Sequence, residues 1–211
     1  MTDWAWDERF REAEYPIDAE PSALLKRFVE TLDPGRALDV ATGAGRNAVY
    51  LAEHGHGVVG LDRSIEGLRI ARDRATERGV DDRCEWVKTD LGEHPFAPEA
   101  YDLITISFFR AVDRLPDLIE ALRPGGVLFV EHHLRTTDEV ERGPSGDRYR
   151  FGANELLHDA LSLTVLHFET RTERRDDDGR SAVTRVVARK THGQRQSYPE
   201  VPDSPPESPT E

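Results

Sequence analysis

The feature that most limits the possible folds is a strand–turn–helix–strand pattern between residues 37 and 62. A short apolar run leads into a turn that contains Gly43 and Gly45, and a helical pattern begins at Arg46. A second apolar run follows this helix and ends at Asp62, 17 residues after Gly45. A strand, a glycine turn, a helix and a strand that ends in an acid make up half of a nucleotide-binding α/β unit.

This turn suits an anionic ligand. Gly43 and Gly45 permit a sharp bend and leave backbone N–H groups uncovered by side chains. The helix adds its unpaired first-turn donors and the positive end of its dipole. A carboxylate at Asp62 can accept hydrogen bonds from both hydroxyls of a ribose. The unit predicts a site for a ribose-containing ligand with an anionic end; a plain capped turn is the alternative.

The rest of the chain continues the alternation of strands and helices. Apolar runs predict strands at 84–87, 101–106 and 127–131, with helical patterns between them, which favours a parallel α/β sheet. Two further strand-like runs at 163–170 and 182–189 flank an Asp-Gly pair, a signal of an antiparallel hairpin. We expect one domain over residues 1–191, in which residues 1–36 form an N-terminal lid and a helix. Residues 192–211 are rich in proline, glutamate and serine and are predicted to be a disordered tail.

Composition limits the classes of function. A net charge of −13 disfavours non-specific binding to nucleic acid. Lysine is scarce beside 41 acidic residues, which is typical of a salt-adapted surface, although an ordinary solvated acidic surface is the alternative. The single cysteine, Cys84, excludes an internal disulfide and a cysteine-based metal site, and we expect no metal. The chain has no long apolar run and its acidic N-terminus lacks a signal core, so we expect a cytoplasmic protein without a membrane partner.

The order of the motifs resembles that of the class I S-adenosylmethionine-dependent methyltransferases, especially the small group related to tellurite-resistance and thiol methyltransferases. The resemblance covers roughly residues 4–190 and rests on the acid and glycine turn at 39–47, Asp62, the acid after the third strand and the turn at 122–126. It implies a Rossmann-like methyltransferase fold, which is a doubly wound, mostly parallel seven-stranded sheet with an antiparallel C-terminal hairpin. It also implies S-adenosylmethionine as the cofactor.

The resemblance further implies a role for single residues. The turn would hold the methionine part of the cofactor, Asp62 the ribose and Asp90 the adenine, while Arg9 in the lid could reach the carboxylate. Ala41 stands where the family has its first glycine, so we expect a slightly tighter contact with binding retained. The residues implied to bind the cofactor are Arg9, Asp39, Ala41, Thr42, Gly43, Gly45, Asp62, Arg63, Asp90, Leu91, Ile106 and Ser107.

The catalytic residue is harder to predict, because a sulfonium donor carries its own leaving group and needs a base only when the acceptor must lose a proton. His132 and His133 directly follow the fifth strand and are the candidates for such a base. Alternatively, they line the pocket or pack under the following loop. Phe108 and Phe109 are candidates for an apolar acceptor pocket or for ordinary core packing.

The expected function is methyl transfer to a small molecule, such as a thiol, a metalloid oxyanion or another small nucleophile, by a monomer or homodimer without a nucleic-acid partner. Three alternatives stay open at this point. The chain could methylate RNA or protein with the help of a partner, or bind the cofactor as a non-catalytic regulatory domain. It could also be an NAD-dependent oxidoreductase, since Ala48 replaces the last glycine of the G-x-G-x-x-G pattern and alanine is tolerated in some such sites.

Overall fold

A computed structural model describes residues 3–12, 19–174 and 179–191 of the chain. The predicted tail at 192–211 and the acidic residues 176–178 of the predicted hairpin turn lie outside the described residues. In chain order the elements are α1 (Asp3–Arg11), α2 (Ala23–Val29), β1 (Arg36–Val40), α3 (Arg46–Glu53), β2 (Gly57–Asp62), α4 (Ile65–Glu77), β3 (Cys84–Lys88), β4 (Tyr101–Ser107), α5 (Leu115–Ala121), β5 (Leu122–His133), α6 (Glu155–Asp159), β6 (Thr164–Arg174) and β7 (Arg180–Arg189).

The seven strands form one sheet in the order β3-β2-β1-β4-β5-β7-β6. Strands β1 to β5 run parallel to their neighbours, and β7 is inserted antiparallel between β5 and β6. The doubly wound sheet with an antiparallel C-terminal hairpin is therefore confirmed. The order reverses at β1, where the chain crosses to β4 on the other side, and this is the position at which open α/β sheets bind ligands.

The sheet is buried on both faces. On one face Leu118 of α5 and Leu156 of α6 pack against strand residues such as Ile104. On the other face Phe28 of α2 and Leu51 of α3 belong to a second core cluster. Helices cover both sides, which explains why the central strands read as nearly continuous apolar runs. Among the described helices, none combines the length and the apolarity that a membrane span needs.

Local signals set most element boundaries. Ser64 is the N-cap of α4, and its hydroxyl accepts a hydrogen bond from the amide of Gly67 at 3.1 Å. Helix α6 is short and ends at Asp159. The turn predicted at 122–126 is instead a bulge inside β5, between the Tyr101–Leu122 and Leu103–Val127 pairs. Gly125 supplies the positive φ of +86° that this bulge requires.

Candidate functional site

An open cleft lies at the carboxyl ends of β1, β2 and β4, under the N-terminal helix α1. Nine of the twelve residues that the sequence implied line it, whereas Arg9, Gly45 and Ile106 do not. The lining residues are Trp6, Phe10, Asp39, Ala41, Thr42, Gly43, Ala44, Arg46, Asn47, Leu61, Asp62, Arg63, Thr89, Asp90, Leu91, Ser107, Phe108 and Phe109.

The turn after β1 has an unusual backbone. Ala41, Gly43 and Gly45 all have positive φ, at +54°, +55° and +76°. Ala41 therefore occupies a left-handed conformation that glycine adopts at lower cost, in addition to the tighter contact that we predict with the cofactor. The amide of Thr42 donates to the carbonyl of Leu61 at 2.9 Å, which ties the turn to the end of β2.

Gly43 and Gly45 each make room for a different neighbouring helix. A Cβ atom on Gly43 would lie 3.3 Å from the ring of Phe10, so the turn and the α1 roof leave a narrow space. A Cβ atom on Gly45 would lie 2.7 Å from the Cβ of Ala71 in α4. Gly45 therefore permits close packing behind the cleft, which explains why it does not line the cavity. Ile106 is likewise a core residue, with 1% of its surface exposed.

Two aspartates, the buried Asp39 and the partly buried Asp62, organise the turn. The Asp62 carboxylate accepts hydrogen bonds from the amides of Gly43 and Ser64, both at 2.8 Å. Asp39 accepts hydrogen bonds from the hydroxyls of Thr42 and Thr105, both at 2.6 Å. Burial raises the pKa of both carboxyls above the ordinary range, and these hydrogen bonds oppose the rise. Asp62 thus fixes the turn and also faces the cleft.

Asp90 and Arg63 mark one end of the cleft. The Arg63 guanidinium lies 2.7 Å from the Asp90 carboxylate, which also accepts a hydrogen bond from the amide of Gly92 at 2.9 Å. About half of the Asp90 side chain is exposed. Leu91 completes this wall, so the acid after β3 and its neighbour lie where the sequence implied them.

Arg46 and Phe108 mark the other end. The Arg46 guanidinium lies 3.0 Å from the Glu131 carboxylate and 5.2 Å from the centre of the Phe108 ring. Nearby, the Asn47 side-chain amide donates to the hydroxyl of Ser107 at 3.0 Å. Phe108 has a φ of +55°, a strained conformation that often occurs at functional sites. Sequence reasoning missed Arg46 as a site residue, although its position directly after the glycine turn was a usable signal.

Helix α1 forms the roof of the cleft. Trp6 and Phe10 line the cleft, and the Asp7 carboxylate accepts hydrogen bonds from the Ser64 hydroxyl at 2.6 Å and the Glu66 amide at 3.2 Å. Burial favours a higher pKa for Asp7, but these hydrogen bonds and Arg11 outweigh it, so its pKa is lowered. Arg9 is exposed and stacks on Trp6, with its guanidinium 5.1 Å from the ring centre, and it is not among the residues that line the cavity.

The two histidines lie beside the cleft and not in its lining. His132 is 3% exposed and packs edge-on against Phe151. Burial lowers the pKa of His132 to about 4, so its imidazole is neutral at pH 7. The His133 ring lies 4.7 Å from the Phe108 ring, behind the cavity wall. Within the described part of the chain, no cluster of three or more histidines, cysteines or acids is arranged to hold a metal ion.

Residues 37–126 match a family described as the methyltransferase domain. Solved structures share the fold: TehB from Haemophilus influenzae has a TM-score of 0.69 at 19% identity and aligns with 81% of this chain and 63% of its own. The [4+2]-cyclase SpnF has a TM-score of 0.65 at 22% identity, with 80% of each chain covered. The chain therefore contains a class I S-adenosylmethionine-dependent methyltransferase domain, and the class implied by the motifs is confirmed.

Sequence relatives carry more specific names. A demethylmenaquinone methyltransferase from Clavibacter sepedonicus is 37% identical over 123 residues, which cover 56% of this chain and 49% of that protein. A ubiquinone/menaquinone biosynthesis C-methyltransferase from Pseudomonas savastanoi is 32% identical over 146 residues, which cover 64% of this chain and 57% of that protein. The chain thus spans about half of the length of these curated relatives.

The residues of the cleft fit S-adenosylmethionine, the cofactor of this class. The glycine turn and the Phe10 ring leave a narrow cradle that one added Cβ atom would begin to fill. Carboxylates suited to hydroxyl and amino donors lie toward one end, at Asp62 and Asp90. A guanidinium suited to a carboxylate lies at the other end, at Arg46.

Proposed function

We propose that this chain transfers a methyl group from S-adenosylmethionine to a small-molecule acceptor. The observation that supports this most is the order of groups along the cleft, which follows the strand order β3-β2-β1-β4: Asp90 after β3, Asp62 at the end of β2, the glycine turn after β1 and then Ser107 at the end of β4. This order matches the adenine, ribose and amino-acid parts of the cofactor. In this proposal Asp62 holds the ribose hydroxyls, and Asp90 with the amide of Leu91 holds the adenine.

The cofactor supplies a methyl group on a positively charged sulfur, so the leaving group is present from the start. The work of the chain is to orient the acceptor in line with that methyl group and to exclude water. The Phe10 and Trp6 roof serves the second task, because it covers the glycine turn. The fold alone does not fix the reaction, because the [4+2]-cyclase SpnF shares this architecture and is named for a different reaction.

The acceptor in this proposal needs little help from a base. His132 has a pKa of about 4 because it is buried, and neither His132 nor His133 lines the cleft. Among the described lining residues, the titratable side chains are aspartates and arginines. We therefore infer an acceptor that is already nucleophilic at neutral pH, such as a thiolate or an oxyanion.

A carbon acceptor on an aromatic ring is the second candidate. The relatives from Clavibacter and Pseudomonas are named for quinone biosynthesis, and the Pseudomonas protein is named a C-methyltransferase. Besides Phe10, the cleft is lined by three aromatic side chains, Trp6, Phe108 and Phe109, which suit a flat apolar ring. Methylation of such a ring forms a carbon–carbon bond, leaves the electron pair on the sulfur and releases the ring proton.

The first test is calorimetric titration of the protein with S-adenosylhomocysteine and with NAD. We expect the first to bind and the second not to bind; the reverse result would contradict the proposal and support an oxidoreductase. Radiolabelled S-adenosylmethionine is then offered with thiols, metalloid oxyanions, hydroquinones and RNA. Transfer to a small acceptor supports the proposal. Transfer to RNA alone, or binding without transfer to any acceptor, would favour a macromolecular substrate or a regulatory domain.

The placement of the cofactor is tested by Asp62→Ala. The change removes the acceptor that we assign to the ribose hydroxyls, so S-adenosylhomocysteine should bind roughly 10- to 100-fold more weakly. Asp73→Ala, on the exposed face of α4, is the matched control and should leave the affinity unchanged. Equal affinities for the two variants would show that the ribose does not lie at Asp62.

A further inference from the structure

Contacts with an aromatic ring and a buried carboxylate fix the position of the Arg46 side chain. It begins α3, and its guanidinium lies over the Phe108 ring and 3.0 Å from Glu131. Glu131 is 1% exposed and lies at the end of β5. Only 15% of the Arg46 side chain is exposed, so water screens its charge weakly.

Glu131 is itself held by a second arginine. Its other carboxylate oxygen lies 3.1 Å from the Nε atom of Arg185, which is 5% exposed. Arg185 also pairs with Glu169 and Glu173, both at 2.7 Å. Strands β5, β6 and β7 thus contribute to a buried ion-pair chain that ends at Arg46 in the wall of the cleft.

The Arg46 guanidinium retains hydrogen-bond capacity. Arginine has five N–H donors. Within the described residues, Arg46 directs one at Glu131 and one, at 3.4 Å, at the backbone carbonyl of Glu20. The first amides of α3 lie beside it and favour negative charge at the same place. A rigid guanidinium and a helix N-terminus together suit a carboxylate.

We propose that Arg46 binds the carboxylate at the amino-acid end of the cofactor, and that Glu131 and Arg185 are positioning residues that hold it there. This inference rests on the proposed function. It moves to Arg46 the role that the sequence suggested for Arg9, which is exposed and outside the cavity wall. An anionic group of the acceptor is the other possible source of the carboxylate, and the experiment separates the two.

The test compares two ligands by calorimetry. S-adenosylhomocysteine carries the amino-acid end, whereas 5′-methylthioadenosine has the same nucleoside and sulfur without it. Arg46→Met should weaken binding of S-adenosylhomocysteine roughly 10- to 100-fold and leave 5′-methylthioadenosine within about 2-fold. Arg63→Met is the matched control, because it removes the same charge at the adenine end of the cleft. It should change both affinities equally.

The positioning role is tested with Glu131→Gln. In the wild-type background this change should alter the ratio of the two affinities by roughly 3-fold or more, because Arg46 loses its ionic partner. In the Arg46→Met background the same change should leave the ratio unaltered. A merely structural role of Glu131 would change the melting temperature but would leave the ratio alone in both backgrounds.

The results distinguish the carboxylate assignment of Arg46, the positioning role of Glu131 and the proposed function. An unchanged ratio in Arg46→Met overturns the assignment of the carboxylate and is the result expected if Arg46 serves an acceptor. An equal shift of the ratio by Glu131→Gln in both backgrounds overturns the positioning role. Failure of the wild-type protein to bind either ligand would instead contradict the proposed function, so the two failures are distinguishable.

Discussion

The hydrogen bonds of Asp7 predict that this carboxylate helps to hold the roof over the cleft. Asp7 is 8% exposed and bonds to the N-terminal turn of α4 at Ser64 and Glu66, where Arg11 of α1 adds an ion pair with Glu66 at 3.1 Å. Asp7→Asn preserves the shape of the side chain but removes its charge. We therefore expect α1 to detach more often while the sheet beneath it stays folded.

The expected magnitude follows from the two hydrogen bonds. A hydrogen bond to a charged group contributes about 1 kcal/mol more than a neutral one, and the 3.2 Å bond to Glu66 is the weaker of the two. The lost attraction to the helix N-terminus adds about 0.5 kcal/mol. The sum, about 2 kcal/mol, corresponds to a docking equilibrium roughly 30-fold less favourable. The apparent affinity for S-adenosylhomocysteine should fall by the same factor as the fraction of molecules in which α1 is docked over the cleft.

Hydrogen exchange measured by mass spectrometry checks this prediction. In Asp7→Asn, amide protection in residues 5–11 should fall by up to roughly 30-fold, while α3 and the central strands keep theirs. Glu12→Gln makes the same charge change at an exposed position at the end of α1 and should have no effect. Unchanged protection in α1, or an equal loss over the whole chain, would refute the reasoning.

The same contact predicts a pH dependence. Because the pKa of Asp7 in the folded protein is below its ordinary value of 3.8, the stabilisation is complete above pH 3.8 and is lost as the pH falls through the folded-state pKa. The protection of the α1 amides, measured relative to their intrinsic exchange rate at each pH, should therefore fall at acid pH in the wild-type protein. In Asp7→Asn this part of the pH dependence should disappear.

Two further predictions concern stability. Ala41→Gly should raise the free energy of unfolding by about 1 kcal/mol, since Ala41 has a φ of +54°, and lower stability in a urea titration would contradict this account of the turn. His132 has a folded-state pKa of about 4 against an ordinary 6.5, so the unfolded chain binds more protons between these values and stability should fall by up to about 3 kcal/mol as the pH drops from 6.5 to 4. His132→Phe should lessen that slope in urea titrations at several pH values; an unchanged slope would show that another group causes it.

Much of the fold could be predicted because its signals are local. Glycines at 43 and 45 mark the turn, Ser64 marks the start of α4, and the apolar runs mark strands that helices cover on both faces. The wall of the cleft follows from the same signals, since parallel strands bring their carboxyl ends to one edge. Asp62 and Asp90 therefore lie at the cleft, as the motif order implied.

The positions of Arg46, Arg9 and the two histidines were harder to predict. They depend on contacts between distant parts of the chain or on which face of an element is buried. Arg46 meets Glu131 across 85 residues of sequence, and no local pattern indicates that pair. In α1 the face of Asp7 and Phe10 is buried and Arg9 is exposed, a choice that a short polar helix does not reveal. His132 and His133 are neighbours on a strand, so they point to opposite faces, and neither face is the cleft.

The insertion of β7 between β5 and β6 has a consequence for synthesis on the ribosome. Strand β6 leaves the ribosome before its hydrogen-bonding partner exists, and β5 keeps an open edge until residues 180–189 arrive. Unpaired edges of this kind are prone to aggregate. Arg185 arrives with the same strand, so the support for Arg46 is built last. A nascent chain that stalls before β7 would contain the whole glycine turn, but its sheet would expose the unpaired edge of β5 and would be prone to aggregate.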